Sequence, residues 1–269
     1  MKIASLQMVS GCNLEHNLLT AGRLIAQAAE QGCHIAVLPE YFCLLGRNDQ
    51  DKLRIQETYG KGPIQDCLAN LAKDHQITIV AGTIPISTQD PMRVYNSCIV
   101  FDKFGKHLLR YDKIHLFSFT SGNESYNESK TLTAGQQPTH FELVDQDQTW
   151  RFGLSICYDI RFPEMYRVMG QVDAHLIPAA FTYTTGKDHW EILLRARAIE
   201  NQCYVIASAQ GGTHENSRRT WGHSMIIQPW GNVCAMLEHG EGLITHELFK
   251  SELNEIRNKL PALTHRTFF

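Results

Sequence analysis

The opening of the chain already narrows the possible folds. Residues 2–8 (KIASLQM) read as a short, nearly continuous buried strand. Asn13 then offers a helix N-cap, and Leu14, Leu18, Ala21, Ile25 and Ala28 recur at spacings of three and four, one face of a helix. Gly32 supplies the stop, and residues 34–38 (HIAVL) form a second buried strand. A strand–helix–strand unit of this kind predicts parallel pairing, with helices packed on a sheet.

The pattern continues with variation. Residues 64–75 read as a helix and 77–86 as one strand. Residues 96–102 and 107–111 alternate around Lys103-Phe104-Gly105-Lys106, a hairpin signal. Residues 118–135 are polar and irregular and read as a surface loop. A strand pair follows at 139–144 and 151–156, and then Pro163 at the first turn of a helix running to Gly170. Next come a strand at 175–178, a helix at 188–202, a strand at 203–209, and a second hairpin around Pro229-Trp230-Gly231-Asn232. The last element is a helix at 249–260, ahead of a loose tail. With no linker or low-complexity segment, the 269 residues read as one α/β domain, two sheets faced by helices.

Composition bounds the partners. A formal net charge of −3 gives no electrostatic case for nucleic acid or an anionic membrane. No apolar stretch is long enough for a transmembrane helix, and the first residues resemble a core strand rather than a signal peptide. The eight cysteines include no C-x-x-C pair, so most are expected to be buried reduced thiols in a reducing compartment. The thirteen histidines show no ligand spacing, so no metal is expected. Nucleophile elbows of G-x-S-x-G type, phosphate loops and H-E-x-x-H helices are absent from the sequence.

Three segments carry candidate chemistry. Val37-Leu38-Pro39-Glu40 ends an apolar strand in a carboxylate, where α/β sheets place ligand groups. Tyr111-Asp112-Lys113 closes a hairpin strand with an ammonium. Taken alone, Glu40 reads rather as an ordinary loop glutamate, and Lys113 as a surface lysine paired with Asp112. In Gly153-Leu154-Ser155-Ile156-Cys157-Tyr158-Asp159 a buried strand runs into Cys157, six residues before Pro163. Such a junction can hold a side chain at a sharp bend and aim backbone N–H groups at a reacting oxygen. It also fits a buried structural cysteine. Chemistry joins the three, because a thiol needs a base or a nearby cation to become a good nucleophile. A glutamate can take its proton, while an ammonium stabilises the oxyanion.

At these residues the sequence resembles the nitrilase superfamily of carbon–nitrogen hydrolases, whose glutamate, lysine and cysteine motifs match Glu40, Lys113 and Cys157 in order. The likeness runs from Ala4-Ser5-Leu6-Gln7-Met8 to Glu241-Gly242. The stretches from His189 to Val205 and from Trp221 to Gly231 resemble the branch known as deaminated glutathione amidases. The related ω-amidase branch is similar at the triad and around Asn127-Glu128-Ser129-Lys130.

The resemblance implies a four-layer αββα sandwich that forms a homodimer or higher homo-oligomer, a cytoplasmic location, and a small-molecule amide substrate hydrolysed without a cofactor. It implies Glu128 as a supporting carboxylate that orients Lys113; the bend at Cys157 adds the Tyr158 backbone N–H as the expected oxyanion donor. Arg161 is assigned either to a substrate carboxylate or to an acidic side chain, and Arg197 with Glu200 to a structural ion pair. The substrate implied is deaminated glutathione. The alternatives are 2-oxoglutaramate, a nitrile or N-carbamoyl compound, or a catalytically silent binding role on the same fold. The loops at 44–61 and 118–126 vary between branches and bear on that choice.

Overall fold

A computed structural model of the chain describes residues 1–122 and 124–268. Position 123, within the segment read as a polar loop, lies outside the described residues. The chain opens with β1 (Lys2–Gln7), α1 (Leu14–Glu30) and β2 (Ile35–Val37), and β1 and β2 pair in parallel as the strand–helix–strand pattern predicts. The Asn13 side chain caps α1 by accepting from the His16 N–H at 3.0 Å. A short α2 (Asp51–Arg54) and α3 (Pro63–Asp74) follow.

The expected strand over 77–86 is instead two, β3 (Thr78–Val80) and β4 (Ile84–Ser87), each antiparallel to β5 (Val94–Phe101). The break falls at Gly82, whose φ is +47°; a Cβ there would meet the Pro39 carbonyl oxygen at 2.1 Å. That close approach sets the path of the loop carrying Glu40. Strand β6 (His107–Asp112) completes the hairpin with β5.

The polar segment 118–135 is also more regular than its composition indicates. It holds the hairpin β7 (Ser118–Ser121) and β8 (Glu124–Asn127), a 3₁₀ turn at Glu128–Lys130, and β9 (Leu132–Thr133), which pairs in parallel with β5. Phe119 and Tyr126 pair across the hairpin and cluster with Phe117, but strands of two to four residues are too short for hydrophobic periodicity to record them.

The second sheet runs β10 (Thr139–Asp145), β11 (Gln148–Leu154), β12 (Ala174–Ala179), β13 (Tyr204–Ala209), β14 (Ser224–Ile227), β15 (Val233–Leu237) in spatial order. Between β11 and β12 lies α4 (Pro163–Met169), which begins at the expected proline. Between β12 and β13 lies α5 (Tyr183–Asn201). It starts five residues before the expected Asp188, because Thr182 supplies an N-cap by accepting from the Thr185 N–H. After β15, the sequence reading passes over β16 (Gly242–Glu247), which returns to the first sheet antiparallel to β1. The final helix is α6 (Lys250–Lys259).

The layers follow from the faces. Ala4, Leu6, Ala36, Ile79 and Ile99 pack on Ala21, Leu24, Ile25, Ile64 and Leu68 of α1 and α3. Ile3, Val37, Val80 and Val100 turn the other way and share a core with Leu154, Leu176 and Ile206 of the second sheet. That sheet's far face packs on α4 and α5 through Met165, Tyr166, Trp190 and Leu194. The αββα sandwich expected from the resemblance is thus present. Polar bonds cross its middle: the Ser5 hydroxyl donates to the Ala207 carbonyl at 2.8 Å, and that of Ser208 to the Val37 carbonyl at 2.7 Å. All eight cysteines are free, and Cys33, Cys43, Cys98, Cys157 and Cys203 are buried.

His175 on β12 is fully buried, with neither ring nitrogen bonded among the described residues. Burial, aided by the Arg197 charge, draws its pKa down from 6.5 to about 3. Between those values the unfolded chain binds a proton that the folded chain refuses, so stability falls as pH drops through that window. The full effect is roughly 3–5 kcal/mol. Denaturant unfolding at about pH 7 and about pH 4.5 is expected to show a smaller acid loss in His175→Leu than in the wild type. Equal losses would count against this assignment.

Candidate active site

Cys157 stands at the end of β11, where the chain leaves the second sheet and turns into a 3₁₀ helix, Cys157–Arg161. Its φ of +50° is left-handed, an unusual conformation for a residue with a Cβ, and it must be held by its surroundings. Asp159, fully buried, provides that hold. One carboxylate oxygen accepts from the Ile156 N–H at 2.9 Å and from the Tyr111 hydroxyl at 2.6 Å. The other accepts from the His115 N–H at 2.9 Å and lies 2.8 Å from His115 Nδ1. The bend bearing Cys157 is therefore tied to the segment bearing Lys113.

Lys113 follows β6. Its N–H donates to the Asn96 carbonyl at 3.0 Å, and its own carbonyl accepts from the Gly135 N–H at 2.8 Å. The side chain points inward, away from Asp112, which accepts instead from Ser97 and Arg110. Lys113 Nζ donates to Glu40 Oε1 at 2.9 Å and to both oxygens of Glu128 at 3.0 and 2.9 Å. Glu40 also accepts from Asn96 Nδ2 at 2.9 Å and, through Oε2, from the Ala180 N–H at 2.9 Å. Glu128 accepts from the Tyr41 hydroxyl at 2.9 Å and the Phe117 N–H at 2.7 Å.

The two carboxylates are pushed apart in acidity. Burial, with the Glu128 charge adding to it, lifts Glu40 above its ordinary range against the pull of Lys113. Burial would lift Glu128 as well, but the Lys113 ammonium and the bonds from Lys113 and Phe117 hold it below that range. Burial would depress Lys113, yet the Glu128 and Glu40 carboxylates outweigh it and keep the ammonium charged well past its usual limit. Cys157 is raised well above an ordinary thiol by burial and by the Glu40 charge, with Lys113 opposing. The resting pair is therefore a thiol beside a carboxylate of raised basicity, a combination suited to proton transfer.

Glu40, Glu128 and Cys157 line one cleft with about 820 Å³ of free space, the open mouth included. The structure thus brings together Glu40, Lys113, Glu128 and Cys157. The Tyr158 N–H adjoins the sulfur-bearing residue and has no acceptor among the described residues. Arg161 does not line the cleft. Its guanidinium lies 5.3 Å from the Phe181 ring centre and 5.8 Å from that of Tyr158, and Nη2 is 3.3 Å from His189 Nδ1. Arg197 pairs with Glu200, as the spacing predicts, and donates to the Ile160 carbonyl at 2.9 Å.

Sequence reading did not single out Tyr41, Asn96, the Ala180 N–H or Asp159. Asn96 carried a signal, a buried amide in an otherwise apolar strand. The Ala180 N–H carried none, being main chain. No group of three or more metal-ligating side chains occurs among the described residues.

The electrostatics make a prediction. Replacing Glu40 by Gln removes a negative charge beside the thiol, so the Cys157 titration should shift to lower pH in Glu40→Gln. Ultraviolet thiolate absorbance, read against Cys157→Ala, measures this. A shift upward would mean that Glu40 does not face the sulfur.

The carbon–nitrogen hydrolase family model matches residues 2–258. A deaminated glutathione amidase of Synechocystis is 43% identical over 270 residues, spanning 98% of this chain and 97% of that protein. The chloroplastic omega-amidase of Arabidopsis thaliana is 39% identical over 94% of this chain and 68% of its own length. Among solved structures, Saccharomyces cerevisiae Nit3 superposes with a TM-score of 0.88 at 29% identity, over 100% of this chain and 97% of that one. The C. elegans NitFhit protein gives 0.87 at 36% identity, over 99% of this chain and 65% of that one. The chain belongs to the carbon–nitrogen hydrolases of the nitrilase superfamily.

Proposed function

We propose that the protein is an amidase that cleaves a small-molecule amide through a thioester on Cys157, and that its substrate is deaminated glutathione. The observation that carries this reading is the convergence of Glu40, Lys113 and Glu128 near Cys157, with Glu40, Glu128 and Cys157 lining one cleft. Glu40 takes the thiol proton as sulfur bonds to the amide carbon. The oxyanion is held by Lys113 Nζ and the Tyr158 N–H. Once protonated, Glu40 is neutral and its pull on Lys113 weakens, which frees an N–H of the ammonium for the oxyanion. Glu128, held below the ordinary carboxylate range, stays ionised and keeps Lys113 in place. Collapse of the intermediate breaks the carbon–nitrogen bond, and Glu40 gives its proton to the departing amine.

Water then enters. Glu40 removes its proton, hydroxide adds to the thioester carbon, and the carbon–sulfur bond breaks as the thiolate regains a proton from Glu40. The low dielectric around these groups strengthens each charge interaction. Deaminated glutathione would yield 2-oxoglutarate and cysteinylglycine, a repair reaction in a reducing compartment such as the cytoplasm. The free cysteines fit that setting.

The test is turnover of deaminated glutathione and of 2-oxoglutaramate by the pure protein, with 2-oxoglutarate measured as product. Deaminated glutathione is expected to have the higher kcat/KM. Cys157→Ala is expected to lose activity by about 10³-fold or more with its circular dichroism unchanged. Faster turnover of 2-oxoglutaramate would move the assignment to the ω-amidase reaction. Full activity in Cys157→Ala would end the thioester mechanism.

We further propose a homodimer. Val168 on α4 and Ile192 and Ile199 on α5 are exposed, with Trp230 beyond them, an outer helical layer with apolar surface to cover. Sedimentation at micromolar concentration is expected to give a dimer mass, and a monomer would oppose the proposal.

A further inference from the structure

The cations of the cleft differ in whether their charge is answered. Lys113 is held between Glu40 and Glu128. Arg218 Nη2 donates to Asp49 Oδ1 at 2.9 Å. Two others line the same cleft without a carboxylate at ion-pair distance among the described residues. Lys52, on α2, donates to the Thr131 hydroxyl at 3.3 Å and sits 5.4 Å from the centre of the Tyr41 ring. Arg219 lies with its guanidinium 3.9 Å from the Tyr183 ring centre and is exposed at the mouth.

An ammonium that lines a cleft without a direct ion pair is a recognition element for an anion. Burial draws the Lys52 pKa down, with Glu128 and Asp49 opposing, so an arriving carboxylate would restore the solvation the lysine has lost. A charge-assisted bond made there is stronger than one made in open water. Position separates the two cations. The Tyr41 ring that carries Lys52 on its face donates its hydroxyl to Glu128, so Lys52 stands one ring away from the carboxylate that holds Lys113. Arg219 is the more exposed of the two and lies against Tyr183 at the start of α5.

We propose that Lys52 and Arg219 form the carboxylate-recognising subsite of this cleft, which selects amides that bear a carboxylate away from the scissile bond. Lys52 takes the carboxylate of the acyl part, and Arg219 takes one at the far end of the leaving amine. The division rests on the amidase reading given above, and it matches a substrate with an acid at each end.

The experiment uses 2-oxoglutarate as a binding probe, because it keeps the acyl carboxylate and needs no turnover. By calorimetry, Lys52→Met is expected to weaken 2-oxoglutarate binding at least about tenfold, Lys52→Arg to recover much of it, and Arg219→Met to leave it unchanged. In kinetics, Lys52→Met should raise KM for both 2-oxoglutaramate and deaminated glutathione, with kcat less affected. Arg219→Met should raise KM for deaminated glutathione alone. Unchanged 2-oxoglutarate affinity in Lys52→Met, or no binding by the wild type, would overturn the subsite. Equal responses of the two Met variants to both substrates would overturn the division of roles. The failures are distinguishable: amide turnover with unaltered probe binding leaves the amidase and removes the subsite. Probe binding lost in Lys52→Met, in a protein that hydrolyses neither amide, leaves the subsite and removes the amidase.

Discussion

Lys113 carries its charge where almost no water reaches it, and the rest of the site is arranged around that fact. An ammonium taken out of water is strongly disfavoured unless anions and hydrogen bonds replace its hydration. Glu40 and Glu128 supply both, using three bonds between 2.9 and 3.0 Å. Their own burial is tolerable for the same reason. Further fixed donors bond the same carboxylates: Asn96 and the Ala180 N–H on Glu40, and Tyr41 and the Phe117 N–H on Glu128, with a position on Glu40 Oε2 left open among the described residues. Removing one member would leave another buried charge unanswered.

This arrangement explains how two glutamates of one chemical type come to differ. Glu128 receives the ammonium on both oxygens and is held acidic, whereas Glu40 shares it through one oxygen and faces the thiol. One carboxylate is thereby suited to hold position and the other to exchange a proton. The strained backbone at Cys157 belongs to the same system. Asp159 anchors the bend and, through Tyr111 and His115, the approach to Lys113, so the Cys157 thiol and the Lys113 ammonium are set by one buried carboxylate.

The sandwich makes such convergence possible. Glu40 leaves the end of β2 in the first sheet, while Cys157 leaves the end of β11 and Ala180 the end of β12 in the second. Serine hydroxyls across the sheet interface, Ser5 to Ala207 and Ser208 to Val37, fix one sheet against the other. Because interiors are close-packed, that register is transmitted to the strand ends. The cleft opens where both sheets deliver their loops, with cations at its walls.

What the sequence by itself determined is local. Apolar runs and helical spacing mark β1, α1, β2, α3 and β13, a cap marks the start of α1, and a proline marks the start of α4. Motif resemblance nominates Glu40, Lys113 and Cys157. Where a signal spans more than a few residues, or is carried by backbone alone, it fades. The four-residue strands β7 and β8 are too short for their one aromatic pair to announce them, β16 is revealed by its pairing with β1 rather than by its own pattern, and one expected strand is split by the left-handed Gly82. Only the tertiary structure decided that Lys113 turns away from Asp112 toward Glu40 and Glu128, that Asn96 and the Ala180 N–H hold Glu40, and that Arg161 stacks on aromatic rings outside the cleft. The physical reason is range. Periodicity records which way a side chain faces within its own element, whereas these contacts join residues 15 to 140 positions apart and depend on how two sheets register.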